Sequence, residues 1–261
     1  MNFKLPFIPE RPEKVRTSGL TMVMDKGLSL NEATNLVSVA GHLIDFVKLG
    51  FGTSAISNDV KKKIRIYKDA KIKTYLGGTL FEAFAIRNMI DDYKELIEDW
   101  ELNAVEISDG SMIMDHKKKC EYISAFTEKY TVLSEVGCKD AKVSISDNSW
   151  LSMMQEELAA GASHVIAEAR ESGNVGIYNN EGCAKNELID LLTKEITSEK
   201  ILWEAPLKTQ QVWFIKHLGA NVNLGNIAPT DVIALETLRL GLRGDTFFDF
   251  LPDDLKKYKI L

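Results

Sequence analysis

The chain has 261 residues, 45% hydrophobic and 27% charged, an ordinary globular composition with enough apolar material for a full core. Its formal net charge of -6 argues against nucleic acid or an acidic membrane surface as the main partner, while leaving room for an anionic substrate in a locally basic pocket. No apolar run approaches the ~18 residues of a membrane span, and the scattered Cys120, Cys138 and Cys183 suit a reducing cytoplasm better than a disulfide framework. His42, His116, His164 and His217 form no pair at metal-binding spacing, so a His/Cys zinc site is not expected.

Residues 1–17 read as an arm, because Pro6, Pro9 and Pro12 block both a helix and a central strand. A repeating pattern then occupies residues 18–247. Leu20 to Met24 is a buried-strand run ending in Asp25-Lys26-Gly27, followed by a helix capped by Ser29 or Asn31. Asp45 to Gly50 is a second strand, and Asn58 is placed to cap the next helix. Lys73 to Gly78 is a third, followed by one long amphipathic helix carrying Phe81, Phe84, Met89, Tyr93, Leu96 and Trp100. Ala104 to Gly110 and Thr131 to Gly137 give the fourth and fifth strands, with a helix after Asp115 and another that Gly161 ends.

The sixth strand is the most informative stretch: His164-Val165-Ile166-Ala167-Glu168-Ala169-Arg170, closed by Gly173. Strand side chains alternate, so Glu168 and Arg170 point the same way at the C-terminal end. Burying both there is costly without partners, and that end is where ligands bind in parallel α/β proteins. Lys200 to Pro206 and Asn221 to Ile227 supply the last two strands, with a final helix opening at Thr230. Eight βα units predict a single-domain (β/α)8 TIM barrel, with an open doubly wound sheet as the rival. Against the rival, no G-x-G-x-x-G follows the first strand. Residues 248–261 form a tail whose aromatic residues are expected to pack on the barrel or on a second subunit.

Nearly every strand ends in polar groups. Lys26, Lys48, Lys139 and Arg170 can neutralise an oxyanion. Gly77-Gly78-Thr79 and Ser108-Asp109-Gly110 offer backbone N–H groups near helix starts. Glu106, Glu135, Glu168 and Glu204 can give oxygen ligands to a hard cation, although Mg2+ usually takes one or two carboxylates.

These same runs resemble the phosphosulfolactate synthase family. The similarity is carried by Met24-Asp25-Lys26-Gly27, Asp45-Phe46-Val47-Lys48, Gly77-Gly78-Thr79-Leu80-Phe81-Glu82, Val105-Glu106-Ile107-Ser108-Asp109-Gly110, Glu135-Val136-Gly137, Glu168-Ala169-Arg170-Glu171-Ser172-Gly173, Glu204-Ala205-Pro206, Asn221-Val222-Asn223-Leu224 and Leu235-Glu236-Thr237-Leu238-Arg239. The resemblance implies a (β/α)8 barrel and a homo-oligomer. It also implies Mg2+-dependent addition of sulfite to phosphoenolpyruvate, a lyase-class reaction giving 2-phospho-3-sulfolactate, in the family's best-known setting a step toward coenzyme M.

Charge and position then suggest roles. Lys26 and Lys48 are candidates for protonating carbon 2 and contacting the carboxylate, while Lys139 and Arg170 would bind sulfite or phosphate. Glu135 and Glu168 would bind Mg2+, with Asp25 and Glu204 as alternates. Gly78, Thr79 and Ser108 would contact phosphate, with Asp109 and Asn223 as further substrate contacts. Two other readings stay open: a non-catalytic or stress-associated relative, and a barrel lyase that forms a Schiff base through a strand-end lysine.

Overall fold

The computed structural model describes residues 2–137, 145–170 and 172–259. Among these, eight parallel strands form one sheet in the order β3-β2-β1-β8-β7-β6-β5-β4. They are β1 (Thr21–Asp25), β2 (Phe46–Leu49), β3 (Lys73–Leu76), β4 (Ala104–Ile107), β5 (Thr131–Val136), β6 (His164–Ala167), β7 (Ile201–Glu204) and β8 (Leu224–Ile227). The sheet curls until β3 faces β4, giving a nearly closed (β/α)8 barrel. The helices are α1 (Leu30–Ala40), α2 (Val60–Asp69), α3 (Gly78–Ala85), α4 (Ile90–Asp99), α5 (His116–Phe126), α6 (Asp147–Ala159), α7 (Asn186–Glu195), α8 (Lys208–Leu218), α9 (Val232–Arg239) and α10 (Asp253–Lys256).

Period-two alternation explains the interior. Met22, Phe46, Tyr75, Ala104, Leu133, Ile166 and Leu202 form a fully or nearly buried apolar layer inside the barrel. Two residues further along their strands, Phe46, Ala104, Leu133, Ile166 and Leu202 are followed by Lys48, Glu106, Glu135, Glu168 and Glu204. The charged layer therefore lies on the apolar one, at the C-terminal mouth. The larger apolar set, including Tyr67, Phe81, Tyr93, Trp203 and Phe214, fills the space between strands and helices. Each such side chain contributes roughly 1.5–3 kcal/mol by leaving water.

The β3–β4 seam carries no ladder, and side chains knit it instead. Thr74 N donates to Asn103 Oδ1 at 2.9 Å near the base. Above it Gly78 N donates to Glu106 Oε1 at 2.6 Å, and Ser108 Oγ donates to Glu82. Ser111 N completes the pattern on Glu82 Oε2 at 3.0 Å.

Ser29 caps α1 in a full capping box with Glu32. Two expectations change. Asn58 does not cap α2: Asp59 holds that position in a left-handed conformation with no side-chain cap bond. The single long helix after β3 is two, because Asn88 turns left-handed at φ 57 and Met89 N returns to Phe84 O, which closes α3 before α4 starts. The apolar spacing continues across the break since both helices face the same core.

The arm is pinned to the base of the barrel. Arg11 Nε bonds Glu236 Oε1 at 2.9 Å, and Arg16 clasps Asp45 through Nε and Nη2 at 2.9–3.1 Å. In the tail, Phe250 packs on the core cluster, while Phe247 just before the tail stays half exposed. None of the described helices is long and apolar enough to cross a membrane.

Candidate active site

A cavity of about 350 Å3 opens at the C-terminal end of the strands. Its polar walls are Lys48 from β2, Gly78 and Thr79 from the start of α3, Glu135 from β5, Glu168 and Arg170 after β6, and Glu204 from β7. Met24 and Phe51 give it an apolar side.

At its floor Lys48 is the hub. The ammonium lies 2.9 Å from Glu106 Oε2, 2.8 Å from Glu135 Oε2 and 3.6 Å from Glu204 Oε1. All four side chains are buried. One cation among three carboxylates leaves an excess of negative charge in a poorly solvated place, which favours protonation. Burial pushes Glu106 up to about 7, despite the opposing pull of Lys48 and with the charge of Glu135 adding to the rise. Burial likewise pushes Glu204 up to about 8, against Lys48 and with Glu135. Lys48 is held well above the ordinary lysine value, because the pull of Glu106, Glu135 and Glu204 exceeds the cost of burial. The floor is thus a fixed ammonium surrounded by carboxylates that share protons near neutral pH.

Local structure fixes the walls. A Cβ at Gly78 would stand 2.6 Å from Glu106 Oε1, so only glycine lets the start of α3 come this close to β4. Gly173, at φ +66, turns the chain directly after Arg170, and its N–H returns to the Arg170 carbonyl at 2.7 Å. Gln210 on α8 holds this turn by donating to Gly173 O at 2.7 Å. Arg170 itself is exposed at the rim.

Of the residues singled out in the sequence, the cavity gathers Lys48, Gly78, Thr79, Glu135, Glu168, Arg170 and Glu204. Others stand apart. Asp25 is buried with its carboxylate already taken by Gly27 N and Leu28 N at 2.7–2.8 Å, the Tyr67 hydroxyl at 2.9 Å and Lys63 at 2.8 Å, so it shapes the loop after β1 rather than facing the cavity. Lys26 beside it is exposed and is not among the lining residues. Ser108 is engaged at the seam with Glu82, and Asp109 pairs with Lys119 at 2.9 Å. Asn223 lies at the other end of the barrel. It precedes β8, accepts from Leu20 N at 3.0 Å and donates to the Glu199 and Ile201 carbonyls at 3.1–3.2 Å, and so ties strand starts together. Lys139 lies outside the described residues.

Glu106, which the sequence offers as an oxygen donor, contacts Lys48 at the floor, whereas Asn226 at the end of β8 was assigned no role. Asn226 lines the cavity and reaches Ala169 O at 3.4 Å. Phe51 carries no sequence signal that would have marked it, and Ser172 lies in the Glu168 to Gly173 run without a charge to single it out.

Fold and site define a class, a single-domain (β/α)8 barrel with a charged mouth at the C-terminal end of its strands. Two solved structures share the fold: 3-hexulose-6-phosphate synthase from Salmonella typhimurium, with TM-score 0.55 and 13% identity over 86% of this chain and 100% of that one, and thiamine phosphate pyrophosphorylase from Pyrococcus furiosus, with TM-score 0.52 and 9% identity over 89% and 96%. Sequence is more specific. Residues 9–245 match the family model of (2R)-phospho-3-sulfolactate synthase, ComA. The phosphosulfolactate synthase of Bacillus subtilis (strain 168) is 41% identical over 92% of this chain and 97% of its own. That of Methanocaldococcus jannaschii is 44% identical over 88% and 94%. The chain belongs to the (2R)-phospho-3-sulfolactate synthase family.

Proposed function

We propose that this chain is a phosphosulfolactate synthase, adding sulfite to phosphoenolpyruvate with the aid of Mg2+ to give (2R)-2-phospho-3-sulfolactate. The observation that carries the reading is the Lys48 hub, with its ammonium at the floor of the cavity among buried carboxylates that share protons near pH 7.

The charge balance supports a divalent ion. Lys48 and Arg170 face Glu135, Glu168 and Glu204 around the cavity, so two anionic substrates would enter a space with no surplus of positive charge among the described residues. No group of three or more His, Cys, Asp or Glu side chains forms a metal cluster among those residues. A Mg2+ ion needs less, since one or two carboxylates with substrate oxygens and water suffice. Glu135 and Glu168 fit that donor set. When bound, Mg2+ would neutralise the substrate carboxylate as negative charge develops on it.

The chain's own groups do the rest. Sulfite forms a bond from sulfur to carbon 3, the carbon–carbon π electrons move toward the carboxylate, and a proton must reach carbon 2. Arg170 at the rim holds one incoming oxyanion by charge-assisted hydrogen bonds. Lys48 holds the substrate carboxylate at the floor. The Lys48–Glu204 pair is the proton source, because Glu204 keeps a proton near neutral pH and an efficient general acid has a pKa close to the working pH. A Schiff-base lyase is less compatible with Lys48, whose carboxylate neighbours hold it as an ammonium rather than a free amine.

Phosphorus NMR tests the reading. Purified protein with phosphoenolpyruvate, sulfite and Mg2+ should produce a new phosphate-ester resonance that disappears when sulfite is omitted or a chelator is added. No new resonance from folded protein would reject it. Covalent trapping of a keto acid on the protein by borohydride, read as a mass increase, would favour the Schiff-base lyase instead.

A further inference from the structure

A second cavity, of about 350 Å3, opens at the base of the barrel between the arm and the strand starts. Leu20 and Phe46, members of the apolar interior layer, give it an apolar floor. Lys71, Lys73 and Lys200 stand on its walls.

The charges here do not cancel. Arg16 also lines the cavity, but it is committed to Asp45, so that pair adds no net charge. Glu199 is the other carboxylate on the lining. Lys73 bonds a neutral hydroxyl, Thr131 Oγ1, at 2.9 Å, and Lys200 bonds the Ser163 carbonyl at 3.4 Å. Among the described residues no carboxylate pairs with Lys71, Lys73 or Lys200. Three lysines against one glutamate leave a positive excess in a chain whose net charge is -6. Nearby groups feel it. His164 on the lining is pushed down to about 4 by burial, with Lys200 and Lys73 adding to the effect. Burial lowers the half-buried Lys73 as well. Lys14 falls to about 8 through burial, partly offset by Asp45 and reinforced by Arg16 and Lys71.

We infer that this base cavity is a second ligand site, distinct from the mouth, for a small phosphate monoester whose phosphoryl group is held by Lys73, Lys200 and Lys71 and whose carbon skeleton lies on Leu20 and Phe46. Lys73 is half-buried without a carboxylate partner while Lys71 and Lys200 are exposed beside it, so a dianionic oxyanion here would offset the desolvation of Lys73 and gain two further cationic contacts. The elements are built to receive it from two sides. Lys71 and Lys73 enter β3, Lys200 precedes β7, and the arm supplies Val15 and Thr17. A bound ligand would therefore tie the arm to strand starts on opposite sides of the sheet.

The His164 ring reports on this cavity locally, and a His164→Gln variant assigns its resonance among the four histidines. Inorganic phosphate and glycerol 3-phosphate are titrated into the full-length protein at constant ionic strength set by chloride. The His164 resonance should shift saturably, with the ester binding more tightly than phosphate because of the apolar floor. In the Lys73→Gln/Lys200→Gln double variant the affinity should drop at least about ten-fold, by the loss of two charge-assisted contacts. The Lys73→Arg/Lys200→Arg variant should retain binding, which separates lost charge from lost folding. Sulfite addition by the double Gln variant at saturating substrate should match the wild type. A His164 resonance that ignores both anions, or that moves equally in the double Gln variant, would overturn the site.

Discussion

At the base of the barrel Arg16 meets Asp45, and Arg239 meets the carbonyls of Ala220, Val222 and Leu20 at 2.6–3.2 Å. At the mouth a single lysine meets three carboxylates. Both ends bury charge inside one sheet, yet they treat it differently. The base meets its buried charges with a carboxylate at Arg16 and with backbone carbonyls on both terminal nitrogens of Arg239. The mouth buries like charges facing each other, and burial, with the charge of Glu135 adding to it, raises Glu106 to about 7 and Glu204 to about 8. Groups held that way mark function more often than architecture. The lysine-rich cavity beside Arg16 is the exception at the base.

The largest expected effect separates the two ends outright. Lys48→Met should lower turnover by about 10^3-fold, at the upper end of the cost of removing one charge-stabilising group, and the folded protein should remain detectable by circular dichroism. Asp45→Ala at the base should do the opposite. It strands the buried Arg16 and should cost about 3–5 kcal/mol in urea denaturation, with kcat of the folded enzyme near wild type. If Asp45→Ala spares stability or Lys48→Met spares turnover, the division between the ends fails.

Arg170 sharpens the comparison within the mouth. It lies at the exposed rim, so Arg170→Ala should raise KM for an anionic substrate by about 10- to 100-fold and leave the melting temperature unchanged. A smaller effect concerns pH. Glu106 and Glu204 have folded values above the ordinary 4.5, so their contribution to stability is complete below about pH 4.5 and is lost as pH rises through 7 to 8. Metal-free protein should therefore show a melting temperature that declines over that window, and Glu204→Gln should flatten the decline. The least effect is at the seam, where Asn103→Ala removes the acceptor for Thr74 N and should cost about 1–3 kcal/mol without touching kcat.

The barrel was legible because both of its periods are simple. Buried strands alternate, and Lys48, Glu106, Glu135, Glu168 and Glu204 each follow an interior apolar residue by two positions, as Ile166 to Glu168 and Leu202 to Glu204 show. The same rule places Glu106, which its strand-end position marks as an oxygen donor. What spacing cannot supply is the direction in which a loop side chain turns. Asp25 and Asn223 both flank strands, but Asp25 is captured by backbone N–H groups and Tyr67, while Asn223 sits at the start of its strand instead of the end. The helix break at Asn88 was hidden because apolar residues continue on both sides of it. Lys119 gave no hint either. It is nearly inaccessible, and its ammonium bonds the Glu135 carbonyl at 2.6 Å and Glu157 Oε1 at 2.8 Å, supporting the mouth from behind.

The mouth carries more carboxylate than its own cations can balance, and we propose that a divalent ion on Glu135 and Glu168 completes it. Calorimetric titration of Mg2+ into metal-free protein tests this most directly, with the Glu135→Gln/Glu168→Gln variant alongside. Saturable binding to the wild type, weakened at least about ten-fold in the variant, is the predicted result. Absence of Mg2+ binding in the presence of phosphoenolpyruvate, or equal binding by both proteins, would contradict it.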